Sequence, residues 1–208
     1  MFISFEGLDG SGKSTQAKKL AFTLTALGFD VVHTREPGGS PLAEELRSLV
    51  VTGAADRMDA QTELLIFTAA RRDHVARIIK PALEAGKIVI CDRYLGSTHA
   101  LQGAAGVHAE IIDTLHELFV GLMPDLTLFL DLSAEESLRR SIERLGSAAD
   151  AEARFESKGQ AFHDTVGQIM RAQCAARPEW QAVEAAGTVD EVGSRILAIV
   201  TNHPLLPA

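Results

Sequence analysis

The chain predicts an α/β fold, a parallel sheet with helices on both faces, and two observations carry this. Short apolar segments alternate with helix-like stretches along all 208 residues, the order produced when parallel strands are joined by crossover helices. One segment, Lys87-Ile88-Val89-Ile90-Cys91, is apolar at nearly every position, which marks a strand buried on both faces.

Taken in order, Phe2-Ile3-Ser4-Phe5 is a first strand that stops at Gly7. Residues 13–27 carry Ala17, Leu20, Leu24 and Leu27 at helical spacing, with Gly28 as the C-cap. Phe29 to His33 reads as a second strand. Residues 41–51 open on Pro41, suited to a helix start, and set Leu42, Leu46, Leu49 and Val50 on one face. Residues 60–85 form the longest helical pattern, bent or broken near Pro81. Lys87–Cys91 is the third strand, 108–122 a helix, and Asp125–Leu132 the fourth strand. Residues 134–145 and 152–177 are helical, and Val183–Val189 is a last, weaker strand before a helix over Glu191–Val200. With no internal repeat and no linker, residues 1–208 read as a single domain around a five-stranded parallel sheet.

Hydrophobic residues at 46% and charged residues at 23% are ordinary for a soluble globular chain and exclude wholesale disorder. Twenty basic against 28 acidic residues, a net charge of −8, argues against nucleic acid as the main partner, because phosphate backbones are bound through basic surface. No apolar run approaches the ~20 residues that span a bilayer, so no membrane partner is expected. The start Met-Phe-Ile-Ser-Phe-Glu lacks a basic region followed by an apolar one, and no secretory signal is visible. Cys91 and Cys174 form no Cys-x-x-Cys pair and read as buried thiols of a reducing, cytoplasmic setting.

The sharpest signal is Gly7-Leu8-Asp9-Gly10-Ser11-Gly12-Lys13-Ser14, which fits G-x-x-x-x-G-K-[ST] and lies between the first strand and the first helix. The glycines let successive N–H groups point at phosphate oxygens, and the helix N-terminus adds positive potential. Gly7 to Thr15 is therefore the expected ATP-binding segment of a P-loop NTPase fold. Lys13 reaches the β- and γ-phosphates, and Ser14 ligates Mg²⁺. No Asn-Lys-x-Asp guanine-reading motif accompanies the loop, which leaves a second small substrate to be found. The strand Ile88–Cys91 runs into Asp92-Arg93-Tyr94, and the carboxyl end of a parallel strand opens on the ligand crevice. Asp92 is then expected near the metal and Arg93 near phosphate, where a planar guanidinium can bind two oxygens at once.

Together with Thr34-Arg35-Glu36-Pro37-Gly38-Gly39 and Phe67-Thr68-Ala69-Ala70-Arg71, these blocks resemble bacterial thymidylate kinases in order and spacing over about residues 2–135. The resemblance implies transfer of the γ-phosphoryl group of ATP to dTMP with Mg²⁺, on a nucleoside-monophosphate kinase fold with a mobile helical lid, in a homodimer. It also implies that Asp9 holds the acceptor's sugar or phosphate region and helps place Mg²⁺. Phe67 stacks on thymine, Arg71 bonds its O4, and Arg93 with Arg35 grips the acceptor phosphate. Glu36 and Pro37 line the sugar, and Ser97, Thr98 and Gln102 belong to the acceptor site. From pattern alone Phe67 reads equally as a core aromatic, and Arg71 with Arg72 as a solvated helix face.

The P-loop carries no arginine, and phosphoryl transfer is stabilised by positioned cations. Arg139, Arg140, Arg144 and Arg154 lie in a lid expected over about 139–155, where Arg144 and Arg154 are the expected catalytic pair. They could also pair with Glu135, Glu136 and Glu143 as a solvated face. The chain departs from the family pattern in four ways: Leu101 stands for a tyrosine beside the sugar, Ala153 for an acid before Arg154, and Gly167 and Met170 for an arginine and a tyrosine. Trp180 is expected to pack near the adenine side, the seven histidines show no metal spacing, and the stripes near 60–85 and 108–122 are mostly core, while the family's homodimers imply that one of them is a dimer face instead. Alternative readings are a kinase of another nucleotide or of a deoxynucleoside, and a nucleotide-binding regulatory protein without transfer.

Overall fold

Five strands lie parallel in the order β2-β3-β1-β4-β5: β1 Phe2–Gly7, β2 Val31–Arg35, β3 Ile88–Asp92, β4 Leu126–Asp131 and β5 Trp180–Glu184. The structure is a computed structural model that describes residues 1–52, 57–145 and 159–206. Strand parity sorts the core into two layers. Ile3, Phe5, Ile88, Ile90, Leu128 and Leu130 face α1 (Lys13–Ala26) and α9 (Val189–Thr201), packing with Leu20, Leu24, Val192 and Ile196. Their neighbours point the other way, as side chains of period two must. Phe2, Val89 and Cys91 pack against residues of α3 (Ala60–His74), α5 (Leu95–Ala104) and α6 (Ala109–Phe119). Phe129 packs with Val166 and Met170 of α8 (Gln160–Ala176). The doubly buried strand expected at Lys87–Cys91 is β3, wholly buried from Ile88 to Asp92.

Several boundaries differ from the sequence reading. The second strand runs two residues later than Phe29–His33, because its register with β3 pairs Val31 with Ile88 and carries on to Arg35 opposite Asp92. The long helical pattern is α3, then a π-helical turn Val75–Ile79, then α4 (Lys80–Glu84). Pro81 has no N–H and crowds the carbonyl four residues earlier, and the ladder accommodates this by widening ahead of it. The last strand lies at Trp180–Glu184 rather than Val183–Val189, since Thr188 and Glu191 form a capping box that starts α9 early. Trp180 is core, tilted against Phe129 with centroids 6.2 Å apart. Helix α5 has no counterpart in the sequence reading. Cys91 is buried as expected, whereas Cys174 is only half-buried. The remaining helices are α2 (Pro41–Val51) and α7 (Ala134–Leu145).

The sheet register sets the site. Phe5 pairs with Asp92 and Gly7 with Leu130, so β1, β3 and β4 end at one edge. Leu128→Ala, at a fully buried position, is expected to cost about 2–5 kcal/mol in urea unfolding. Phe22→Ala on the exposed face of α1 is expected to stay within about 0.5 kcal/mol.

Candidate active site

The central strand ends at Gly7 and α1 begins at Lys13, so the glycine-rich loop opens where the sheet's carboxyl edge meets a helix N-terminus. Gly10 has φ +86°, and a Cβ there would lie 2.1 Å from the Ser137 carbonyl oxygen of α7. The loop thus rests directly on the backbone of α7, and no side chain fits between them. Lys13 is buried and its Nζ donates to the Leu8 carbonyl at 2.6 Å, with an Asp9 carboxylate oxygen 3.9 Å away. Burial, and next the positive charge of Arg93, push the Lys13 pKa down to about 8 against the attraction of Asp9, Asp92 and Glu6. Ser14 and Thr15 are exposed in the first turn of α1.

Ser14 Oγ donates to Asp92 Oδ2, joining α1 to the end of β3. The other carboxylate oxygen, Asp92 Oδ1, is buried with no hydrogen-bond partner among the described residues. A hydroxyl beside a carboxylate with one oxygen to spare is a hard-oxygen donor set, and it fits Mg²⁺.

Arg93 follows at φ +71°, a left-handed conformation that turns the chain from β3 into α5. Its guanidinium donates to Asp9 Oδ1, to Ser97 Oγ at 2.8 Å and to the Gly7 carbonyl at 3.4 Å. Ser97 in turn donates to Glu6 Oε2 at 2.5 Å, and Glu6 Oε1 accepts the Tyr94 backbone N–H at 2.9 Å. Burial raises the Glu6 carboxyl's pKa against these hydrogen bonds and the charge of Arg93.

A second arginine is anchored one helix away. Arg71 of α3 is buried, donates from Nε to Glu36 Oε2 at 2.6 Å and from Nη2 to Thr98 Oγ1 at 2.9 Å, and lies 5.0 Å from the Tyr94 ring centroid. Burial alone would raise the Glu36 carboxyl's pKa, but the Arg71 charge and the His74 hydrogen bond override it and hold the group below its ordinary value. One turn before Arg71, Phe67 is buried in an apolar cluster with Val50 and Val51, against which Leu101 packs.

Lys13, Asp9, Arg93 and Ser97 therefore form one connected group, with the Ser14–Asp92 pair beside it in sequence, and Glu36, Arg71 and Thr98 form a second. Ser97 and Thr98, neighbours on α5, tie the two together. Arg35 does not join either group: it is half-exposed and pairs with Glu44 at 3.1 Å. Gln102 is fully buried and donates to Glu63 at 3.1 Å. Pro37 follows Glu36 through a cis peptide bond, and its carbonyl accepts from Arg47 at 2.9 Å. Arg139 pairs with Glu136 and Glu143, and Arg140 with Glu136, as a solvated face would. The Arg144 side chain, Arg154, Ala153 and the expected lid beyond Leu145 lie outside the described residues. Sequence reasoning missed Glu6, Tyr94 and His74. For Glu6 a signal existed, a lone acid in an apolar strand directly before the loop.

The family model for thymidylate kinase matches residues 5–196. A thymidylate kinase of Ruegeria pomeroyi is 48% identical over 98% of this chain and 95% of its own length. One of Rhizorhabdus wittichii is 47% identical over 99% and 98%. The crystal structure of thymidylate kinase from Ehrlichia chaffeensis superposes with a TM-score of 0.77 at 32% identity, covering 96% of this chain and 97% of the other.

The depressed Lys13 pKa has a signed consequence. An unfolded chain with an ordinary lysine binds more protons between about 8 and 10.5 than the folded one, so this group makes stability rise with pH across that window. Phosphate binding favours the ammonium and should draw the proton back. Calorimetry at pH 9 in two buffers of different ionisation enthalpy should show proton uptake on binding a nucleoside triphosphate, with affinity falling by up to about tenfold per pH unit above 8. Lys13→Met should abolish the uptake.

Proposed function

The chain belongs to the thymidylate kinase family, and from that premise we propose how its own residues move the γ-phosphoryl group of ATP to dTMP, giving dTDP and ADP. The observation that carries the assignment of roles is the pairing of two arginines through one helix. Arg93 is fastened to the P-loop through Asp9 and to α5 through Ser97, and Arg71 is fastened to α5 through the adjacent Thr98. Donor loop and acceptor pocket are thus held in one frame, as positioning of two substrates requires.

In this reading Gly7 to Thr15 cradle the triphosphate and Lys13 follows the charge that develops between the β- and γ-phosphates. Arg93 grips the acceptor phosphate, while Asp9 keeps Arg93 in place and borders the acceptor's sugar. Phe67 offers the stacking face for thymine. Arg71 uses two of its five N–H donors on Glu36 and Thr98, and the others are available to O4. Cytosine carries a donor amine where thymine carries that acceptor oxygen. Glu36 and Pro37 border the sugar, and Arg35 and Gln102 contribute from the margin, Gln102 from beneath. Ser14 and Asp92, with Asp9 nearby, would hold Mg²⁺, which when bound neutralises charge on the phosphate oxygens. Phosphoryl transfer needs little covalent chemistry from the protein, and the dTMP phosphate is itself the nucleophile.

The remaining cations are assigned to Arg144 and Arg154 of a lid over about 139–155, within one domain spanning 1–208. The enzyme is proposed to be a cytoplasmic homodimer without nucleic-acid or membrane partners. Ile111, Leu118 and Phe119, exposed on α6, support an apolar face for the second copy. Among the described residues no helix is long and apolar enough to cross a membrane.

A coupled ADP-release assay with Mg-ATP against dTMP, dUMP, UMP, dCMP, AMP, GMP and thymidine tests the reading. Fast turnover with dTMP is expected, and ATP binding without ADP release from any acceptor would sink it. Substantial UMP turnover would trace to Leu101. Lys13→Ala is expected to lower kcat by about 10²–10³-fold or more with little effect on thermal melting. Arg71→Ala should raise KM for dTMP by about 10–100-fold, the loss of a charge-assisted hydrogen bond, and narrow the dTMP/dCMP preference.

A further inference from the structure

Behind Arg71 lies a chain of hydrogen bonds that the transfer reaction itself does not use. His74 is completely buried one turn further along α3. Its Nδ1 lies 3.1 Å from Glu36 Oε1 and its Nε2 2.7 Å from Thr34 Oγ1 of β2. The other Glu36 oxygen accepts from Arg71 Nε at 2.6 Å. An ionised carboxylate only accepts, so Nδ1 must carry the proton that faces Glu36. In the neutral ring Nε2 then accepts the Thr34 hydroxyl. With the ring neutral, the bonds run from Thr34 through His74 to Glu36, and Arg71 closes on the other carboxylate oxygen.

The backbone seals this arrangement. Gly39 sits at φ +88°, and a Cβ there would come 2.4 Å from His74 Nε2 and 2.5 Å from Thr34 Oγ1. The segment Thr34-Arg35-Glu36-Pro37-Gly38-Gly39 therefore folds over the histidine, supplying Thr34 and Glu36 from its near end and a lid of bare backbone from its far end. Ligand atoms of Glu36, His74 and Cys91 lie within 4.8 Å of one another, a spacing that would suit a metal ion. Each residue already has a hydrogen-bond partner, with the Cys91 thiol on the Arg93 carbonyl at 3.1 Å, and the Arg71 cation occupies the same carboxylate. The cluster is a clamp and not an ion site.

We propose that His74 is a positioning residue for base selection: it locks the Glu36 carboxylate, and through it the in-plane orientation of the Arg71 guanidinium that faces the pyrimidine. The proposal rests on the reading of Arg71 as the base-contacting residue. Two substitutions separate the ring nitrogens. His74→Asn puts an amide where Nδ1 stands and keeps a donor for Glu36. His74→Gln puts the amide near Nε2 and leaves Glu36 Oε1 without its donor.

The test is the ratio of kcat/KM for dTMP to that for dCMP, with KM for ATP measured alongside, in both variants and in the Arg71→Ala background. His74→Gln is expected to raise KM for dTMP and cut the base preference about tenfold, the scale of one hydrogen bond to a charged group, without moving KM for ATP. His74→Asn should recover most of the preference, and His74→Gln should change nothing further once Arg71 is alanine. An unaltered preference in His74→Gln, or equal losses in both variants together with a raised KM for ATP, would overturn the proposal. If Arg71→Ala itself leaves the preference intact, the base-contact reading fails first and takes the proposal with it. Nitrogen-15 NMR of the wild-type enzyme supplies a check that needs no variant. The Nδ1–H tautomer is expected at His74, and a ring protonated at Nε2 alone would reject the clamp.

Discussion

A guanidinium taken out of water costs several kcal/mol unless carboxylates and acceptors surround it, and this chain places two of them, Arg71 and Arg93, beneath the carboxyl edge of its sheet. Their surroundings follow from that constraint. Arg71 closes on Glu36, Thr98 and the face of Tyr94; Arg93 closes on Asp9, Ser97 and the Gly7 carbonyl. The groups that close on the arginines are held in turn, the Glu36 carboxylate by His74 and the Ser97 hydroxyl by Glu6. Burying charge at this edge is what makes its geometry specific, since a tilted carboxylate would leave a cation without its partner.

The same edge desolvates Lys13 and keeps it close to losing its proton in the free protein. A phosphate bound there would add to the attraction that Asp9, Asp92 and Glu6 already exert on the Lys13 ammonium. The close seat of Gly10 on the backbone of α7 adds a mechanical link. Helix α7 leads toward the expected lid, so its stem and the phosphate loop share a contact with no side chain to cushion it. The ion pairs along α7 are mostly exposed, so solvent screening leaves them contributing little to stability and leaves its arginines available for other partners.

Much of the architecture was legible before any coordinates. Five strands are read along the chain, and the central β1, β3 and β4 show most clearly, because burial on both faces leaves apolar runs. Boundaries slipped where tertiary register decided them: β2 extends to Arg35 to pair with Asp92, and β5 ends early because Thr188 and Glu191 cap the next helix. Helix α5 escaped notice for a physical reason. Its residues Leu-Gly-Ser-Thr-His-Ala-Leu-Gln-Gly-Ala are buried on nearly every side, so they show no amphipathic period. That helix nonetheless supplies Ser97 and Thr98, the two hydroxyls that hold both arginines. Glu6 shows in sequence only as a lone acid before the loop and His74 not at all, because each acts through distant partners, such as Ser97, 91 residues from Glu6, and Glu36, 38 from His74.

By itself the sequence determined the strand-and-helix alternation, the phosphate loop with Lys13 and Ser14, and the block pattern that marks the family. All of these are local, a period or a spacing that the chain carries wherever it goes. Only the tertiary structure decided which side chains share an orientation: that Phe67 and Arg71 are buried and not solvent-facing, that Arg35 turns outward to Glu44, and that Thr34, His74 and Glu36 line up behind one guanidinium. Those facts depend on contacts between segments far apart in sequence, which packing brings together and which no short-range pattern encodes.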